Sequence, residues 1–480
     1  MFSYSCPLVV LLALPYLSYA LPHPARLYQR IESRGFDIPI QRQVDHAKAS
    51  IQRRTGASGS VNLGDNSDIL YTVPITLGGT TTSVNLDTGS SDLWVVSDAC
   101  KTSLCQKSNV TPYPTSSFVS SNASVTLNYG DSTTGTFAIG PIGTDTASIA
   151  GMSMSGQQFG AIDNTTNPTI TYGAAGIFGL GFPSESVIQS NVVNQQFNNP
   201  STTDNFLSTI DKNGPLLSRM AQSGALDQPM FSITLQRDTI DIGGNGALTI
   251  GKLPDGVDNS SLTWVPVRRY SAADGGIKPP SFAPDEVGHS RWEVELDAVY
   301  LDGKKLADST IPGTGGVDAT KVSALIDTGN SIVRGPSDVI QSILSAVSSS
   351  FAAASARNPN AVATLPCTAS HSLAFEIGGQ MFPVDPRDFV SENKAGDATT
   401  CVANNVIGTD PPSVGALYSW SLGDPFFKSN LVAFYYGNLT HPSVDPPRIG
   451  FMSTVPTNAT ALLDDAVQEA QQNGGSLECT

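Results

Sequence analysis

From about residue 65 to residue 455, apolar and β-branched residues alternate with polar ones in short runs broken by Gly, Pro, Asn and Ser, and few stretches repeat at helical spacing. The pattern predicts a mostly β protein. The first twenty residues depart from it: they carry no charged side chain, and the apolar run Leu8 to Leu14 is followed by Ser18-Tyr19-Ala20, a small-x-small cleavage pattern. This reads as a secretory signal peptide over residues 1–20. A transmembrane anchor needs about 20 continuous apolar residues, and Pro7 and Pro15 bracket a much shorter run. The stretch 457–480 reads as a polar, mobile tail without the hydrophobic end of a lipid-anchor signal. An exported product with no membrane anchor is expected, extracellular or vacuolar.

Within the β text one pattern is written twice. Val84-Asn85-Leu86-Asp87-Thr88-Gly89-Ser90-Ser91 returns as Ala324-Leu325-Ile326-Asp327-Thr328-Gly329-Asn330-Ser331, each an apolar strand running into D-T-G and a polar turn. Ninety residues after Asp87 begins Ile177-Phe178-Gly179-Leu180-Gly181, and ninety-four after Asp327 begins Ser421-Leu422-Gly423-Asp424. An isolated carboxylate at a strand end usually satisfies its own turn, which explains either copy but not the pair. Two related halves follow, each presenting one Asp from an equivalent corner. The 480 residues are too many for one core, and two packed units of roughly 200 residues are expected, placed at 55–255 and 256–456.

Charge adds a third segment. Residues 21–54 hold seven basic groups against three acidic ones, a net of +4, whereas the rest holds 19 basic and 39 acidic, a net of −20. A cationic leader on an anionic body is held by complementary fields and let go as carboxylates protonate. This is the behaviour of a propeptide that inhibits its own enzyme, and Arg53-Arg54 before a run of small residues offers a processing site. The acidic body repels phosphate backbones, so no nucleic acid partner is expected.

With Cys6 in the signal, Cys100, Cys105, Cys367, Cys401 and Cys479 remain for an oxidising compartment. Bridges Cys100 to Cys105 and Cys367 to Cys401 are expected, although sequence does not fix connectivity, and Cys479 is left as an unpaired thiol. N-x-S/T sites at Asn109, Asn122, Asn164, Asn259, Asn438 and Asn458 fit a glycosylated surface.

Two carboxylates within hydrogen-bond reach cannot both ionise cheaply, so they share a proton. The ionised one can take a proton from water while the other donates to a substrate carbonyl, and peptide hydrolysis then needs neither metal nor cofactor. The aspartic protease pair is the standard case of this principle. Gly89 and Gly329 let backbone approach each carboxylate where a Cβ would obstruct it.

Asp87-Thr88-Gly89-Ser90-Ser91-Asp92-Leu93-Trp94, Tyr129-Gly130-Asp131 and Ala324-Leu325-Ile326-Asp327-Thr328-Gly329 resemble the pepsin family, in its secreted fungal branch, over nearly all of residues 65 to 455. The resemblance implies a bilobal β fold with a cleft between lobes and an aspartic endopeptidase, made as a zymogen and acting as a monomer on protein or peptide substrates. It makes Asp87 and Asp327 the catalytic pair. Thr88 and Thr328 would cross-link the two loops and Ser90 would hydrogen-bond Asp87. Tyr129 is placed at the tip of a closing flap with Trp94 as its support, and Phe159 and Ile177 on the apolar wall of the main specificity pocket. Asp131, beside the flap tyrosine, implies acceptance of lysine before the scissile bond. The chain departs from the pattern at Asn330, where relatives carry Thr or Ser, and at Asn85 and Ser421, where they carry apolar residues. Insertions near 191–215 and 268–290 exceed it, the second read as a surface loop.

Other classes have less behind them. His289, His371 and His441 are the body's only histidines and no H-E-x-x-H or G-x-S-x-G occurs, which disfavours zinc and serine hydrolases. A two-carboxylate glycosidase and a catalytically dead binding protein of the same fold stand as alternatives.

Overall fold

A computed structural model describes residues 57–66, 70–130, 135–197, 199–237, 240–241, 243, 246–312, 321–358, 360–410 and 418–477. The signal and leader segments lie outside them. Strands dominate, as the alternation predicts, and sort into five sheets.

A nine-stranded sheet is built wholly from the first half. At its centre Thr80–Asp87 lies parallel to Gly176–Gly179, with Phe178 opposite Leu86 and Gly179 opposite Asp87, and Gly176–Gly179 is antiparallel to Leu93–Val96. Leu93–Val96 and Gly176–Gly179 are buried throughout, as inner strands covered on both faces are. At the far edge Val119–Tyr129 and Thr136–Ile149 form a long hairpin whose last pair is Tyr129 with Thr136. Its alternating exposure fits an arm reaching away from the core.

The second half repeats the central trio. Ser323–Ile326 lies parallel to Trp420–Leu422, which is antiparallel to Val333–Gly335. In both halves the element found about ninety residues after the aspartate is thus the strand laid beside the aspartate strand. A six-stranded sheet joins the halves, taking Gly59–Asn62, Met230–Thr234 and Ala247–Ile250 from one and Thr263–Pro266, Asn430–Tyr435 and Arg448–Ser453 from the other. The joint is the antiparallel pairing of Met230–Thr234 with Asn430–Tyr435. Across it Trp292 Nε1 and the Tyr436 hydroxyl both donate to the Leu180 carbonyl, at 3.0 and 2.6 Å.

Both expected disulfides are present, Cys100 with Cys105 and Cys367 with Cys401. Cys479 lies outside the described residues. Of the glycosylation triplets, Asn109, Asn122, Asn164, Asn259 and Asn458 are exposed and Asn438 is half-buried, its side-chain oxygen accepting from Thr440 and His441.

The structure corrects the polar, mobile tail. Ala459–Gln472 is a helix that buries Leu463, Ala466, Val467 and Ala470, and Leu477 beyond it is buried too. The helix packs on Pro386–Phe389. Its apolar positions fall at i, i+3, i+4 and i+7, one stripe of an otherwise polar helix, so composition concealed what periodicity carries. The second insertion is largely exposed, as expected of a surface loop, and it meets the first. Ser281 N donates to Asp204 at 2.6 Å, and Ile277 packs on the cluster of Phe206, Leu207 and Ile210.

Candidate active site

The strand Thr80–Asp87 and the strand Ser323–Ile326 each end at a D-T-G corner, and the two corners interlock. Thr88 Oγ1 donates to the Ile326 carbonyl at 2.7 Å and Thr328 Oγ1 to the Leu86 carbonyl at 2.8 Å. Thr88 Oγ1 in turn accepts the Thr328 N–H at 3.0 Å, and Thr328 Oγ1 accepts the Thr88 N–H at 3.1 Å. Both threonines are almost fully buried, so the four bonds form a dry clamp between the halves that the resemblance implied.

Above the clamp Asp87 and Asp327 face each other, each carboxylate lying against the opposite corner's glycine. A Cβ on Gly89 would stand 2.3 Å from an Asp327 oxygen, and one on Gly329 would stand 2.3 Å from an Asp87 oxygen. Glycine is therefore required at both places by the opposite carboxylate. Each glycine N–H also donates to its own aspartate at 2.8 Å.

The two carboxylates differ in what else they receive. Ser90 Oγ donates to Asp87 at 2.5 Å. Asn330, its counterpart, gives Nδ2 to Ser421 Oγ at 2.9 Å and takes Arg334 Nε at 3.4 Å. Asn330 and Ser421, separate departures in the sequence, are partners of each other. Burial raises both carboxyls; on Asp87 the Ser90 hydroxyl and backbone N–H groups oppose that rise. Burial and the Asp87 charge push Asp327 up to about 8. The electrostatics place the shared proton on Asp327 and the charge on Asp87.

Tyr129, at the end of the long hairpin, accepts a hydrogen bond from Trp94 Nε1 at 2.8 Å. Its phenol is held well above the ordinary range by burial and then by the Asp87 charge. Trp94 and Ile177 share one apolar cluster, with Tyr129 packed against it. Asn85 is buried in register beside Ile177. Gly130 takes φ 92°, a turn conformation that suits glycine. Asp131 lies outside the described residues.

Phe159 is not brought to this group. Its ring is fully buried against Tyr113 and Phe118, at centroid distances of 5.0 and 5.9 Å, in the other core cluster. On its strand the neighbour Gly160 faces Trp94 and Val125, and alternation turns Phe159 to the opposite face. Ile170, Val125 and Leu127 line the Tyr129 side instead.

Two further residues escaped the sequence reading. Asp92 is buried, accepts from Ser186 Oγ at 2.5 Å and from Val187 N at 2.8 Å, and so caps the helix Val187–Gln196. Burial raises its carboxyl to about 6. Only Ser186 with Gln189, a local capping pattern, marked that helix start; nothing local points to Asp92. Tyr418 feels the charges of Arg291 and Asp327 together.

The chain was also compared with known proteins. It is 27% identical over 421 residues to an aspartic protease of Phaffia rhodozyma, covering 86% of this chain and 84% of that one. Major aspartyl peptidase 1 of Cryptococcus neoformans is 25% identical, over 90% of this chain and 78% of its own length. Pig pepsin A is 27% identical, over 74% and 75%. The family model described as eukaryotic aspartyl protease matches residues 70–441. Since that span takes in both aspartate corners, the long hairpin and the two paired strands at the joint between the halves, this chain belongs to the eukaryotic aspartyl protease family, with its bilobal pepsin-like fold and its aspartic-type endopeptidase activity.

Proposed function

We propose that this enzyme is exported, is made as a zymogen restrained by residues 21–54, and hydrolyses peptide bonds of protein substrates in acid with Asp87 as base and Asp327 as proton donor. The observation that carries the reading is the pair of interlocked glycine corners that hold two carboxylates face to face while supplying only one of them with a hydroxyl donor. Asp87, ionised, takes a proton from a water between the carboxylates, and the resulting hydroxide oxygen adds to the scissile carbonyl carbon. Asp327 gives its proton to the carbonyl oxygen. As the tetrahedral intermediate collapses, Asp87 passes its proton to the amide nitrogen, the C–N bond breaks, and Asp327 takes a proton back from a hydroxyl of the intermediate, which restores the pair. Tyr129 and the hairpin that carries it cover the substrate and exclude water.

The apolar signal, the basic leader on the acidic body and the exposed glycosylation triplets support export and maturation. Purified Asp87→Asn and Asp327→Asn, assayed on a denatured protein in acid, should each lose activity by ~10³-fold or more while folding normally, because members of a unit fail together. Near-wild-type activity in either folded variant overturns the assignment. Full activity at neutral pH with the leader attached overturns the zymogen reading.

A further inference from the structure

Arg291 stands beside the active site by strand register. Glu293 pairs with Leu325 and Val294 with Ala324, and Ile326 N donates to the Trp292 carbonyl at 2.9 Å. Arg291 directly precedes Trp292, and Asp327 directly follows Ile326, so the two lie next to this bonded pair.

From there its guanidinium crosses to the other half. Arg291 Nη2 meets Glu185 Oε2 at 3.2 Å. Glu185 ends the short turn that follows Leu180, and Leu180 N is bonded to the Asp87 carbonyl at 2.8 Å. The ion pair therefore links segments that descend from both aspartate corners. It is not a core pair, since the two side chains keep 31% and 33% of their surface.

The guanidinium is oriented and underused. It lies 5.5 Å from the centroid of the buried Tyr270 ring, and its other N–H groups make no hydrogen bond among the described residues. Arg291 and Asp327 both act on the field at Tyr418, and Trp292, the chain neighbour of Arg291, is hydrogen-bonded to Ile326, the chain neighbour of Asp327. Neighbouring strands are about 4.8 Å apart and an extended peptide advances about 3.3 Å per residue. A side chain as long as arginine thus reaches substrate residues within about three positions of the scissile bond.

We infer that Arg291 is a specificity-determining residue that favours peptide substrates carrying a carboxylate, an Asp or Glu side chain, at one position close to the scissile bond. Two effects work in this direction. A bidentate carboxylate can use the donors that Glu185 leaves free. Burial raises the Glu185 carboxyl above its ordinary range, so an exposed substrate carboxylate competes well for the guanidinium in moderate acid.

The inference rests on the peptidase reading above. Peptide pairs with Glu or Gln at each position flanking the scissile bond are compared by kcat/KM at about pH 5, where peptide carboxylates are mostly ionised. Enzyme concentration is fixed by titration with a transition-state-analogue inhibitor. At one position the wild-type Glu-to-Gln ratio should exceed the others by roughly ten-fold, the effect of one charge-assisted contact. Arg291→Gln should bring that ratio close to one, and Glu185→Gln should raise it. A ratio the same in all three enzymes, or moved in the same direction by both variants, means that the pair only ties the halves together and overturns the inference. A wild-type enzyme that cleaves no peptide defeats the peptidase reading instead.

Discussion

Ser90 and Asn330 hold the same place in the two halves, three residues past an aspartate, yet only the serine reaches its carboxylate. A hydroxyl donor to the charged form lowers a pKa, so the amide's commitment to Ser421 helps keep the proton on Asp327. Asn330→Thr should supply such a donor and move the basic limb of the kcat/KM profile down by about one pH unit, since a charge-assisted bond and a unit of pKa are of similar size. An unmoved limb would show that burial and the Asp87 charge alone set it. At this scale the sequence revealed whatever was written twice: the aspartates, their threonines and glycines. It also flagged Asn330 and Ser421 as departures, but their contact spans 91 residues and leaves no local mark. Phe159 was placed by resemblance alone, and the alternation of its strand, which sets Gly160 against Trp94, turns its ring to Tyr113 and Phe118 instead.

Among the elements, the hairpin Val119–Tyr129 with Thr136–Ile149 was legible from Tyr129-Gly130 and its distance from Asp87, and Asp131 follows Gly130 in the sequence. A carboxylate on a closing turn suits a lysine whose stem packs on apolar walls. Asp131→Ser is therefore expected to lower the Lys-to-Phe ratio of kcat/KM before the scissile bond about five-fold or more. An unchanged ratio assigns Asp131 to the turn alone. No sequence signal marked the charged knot behind the joining sheet. Arg237, which follows the strand Met230–Thr234, meets Asp388 at 2.6 Å, Lys428 meets Asp388 at 3.4 Å, and Arg387 is paired with Asp385. Asp388, Asp385, Arg387 and Lys428 are all buried. Removing one partner leaves buried charge uncompensated, so Asp388→Ala should cost ~3–5 kcal/mol in urea unfolding, well beyond the ~1 kcal/mol of an average substitution. A loss near the smaller figure would mean that water reaches the knot.

For the whole molecule the raised carboxyls fix how stability follows pH. Asp327 at about 8 and Asp92 at about 6 hold protons in the folded state that an unfolded aspartate, at 3.8, has released. The folded chain then binds more protons than the unfolded one, and stability falls as pH rises through the folded values. His289 works in the opposite sense. Burial and Arg269 lower it to about 4 from 6.5, so it costs stability as pH falls between those values. The two tendencies compete between about 4 and 6.5, whereas from 6.5 to 8 the Asp327 proton acts without opposition from His289. Ordinary carboxylates are fully ionised by then, so self-repulsion of the −20 body adds little further slope. The mature enzyme should therefore lose unfolding free energy between about pH 6.5 and pH 8 while gaining none from any other shifted group. The same denaturant titration on Asp327→Asn should be nearly flat over that interval, because the asparagine has no proton to lose. A slope that persists in the variant would place the titrating group elsewhere and detach the acid preference of the fold from its catalytic pair.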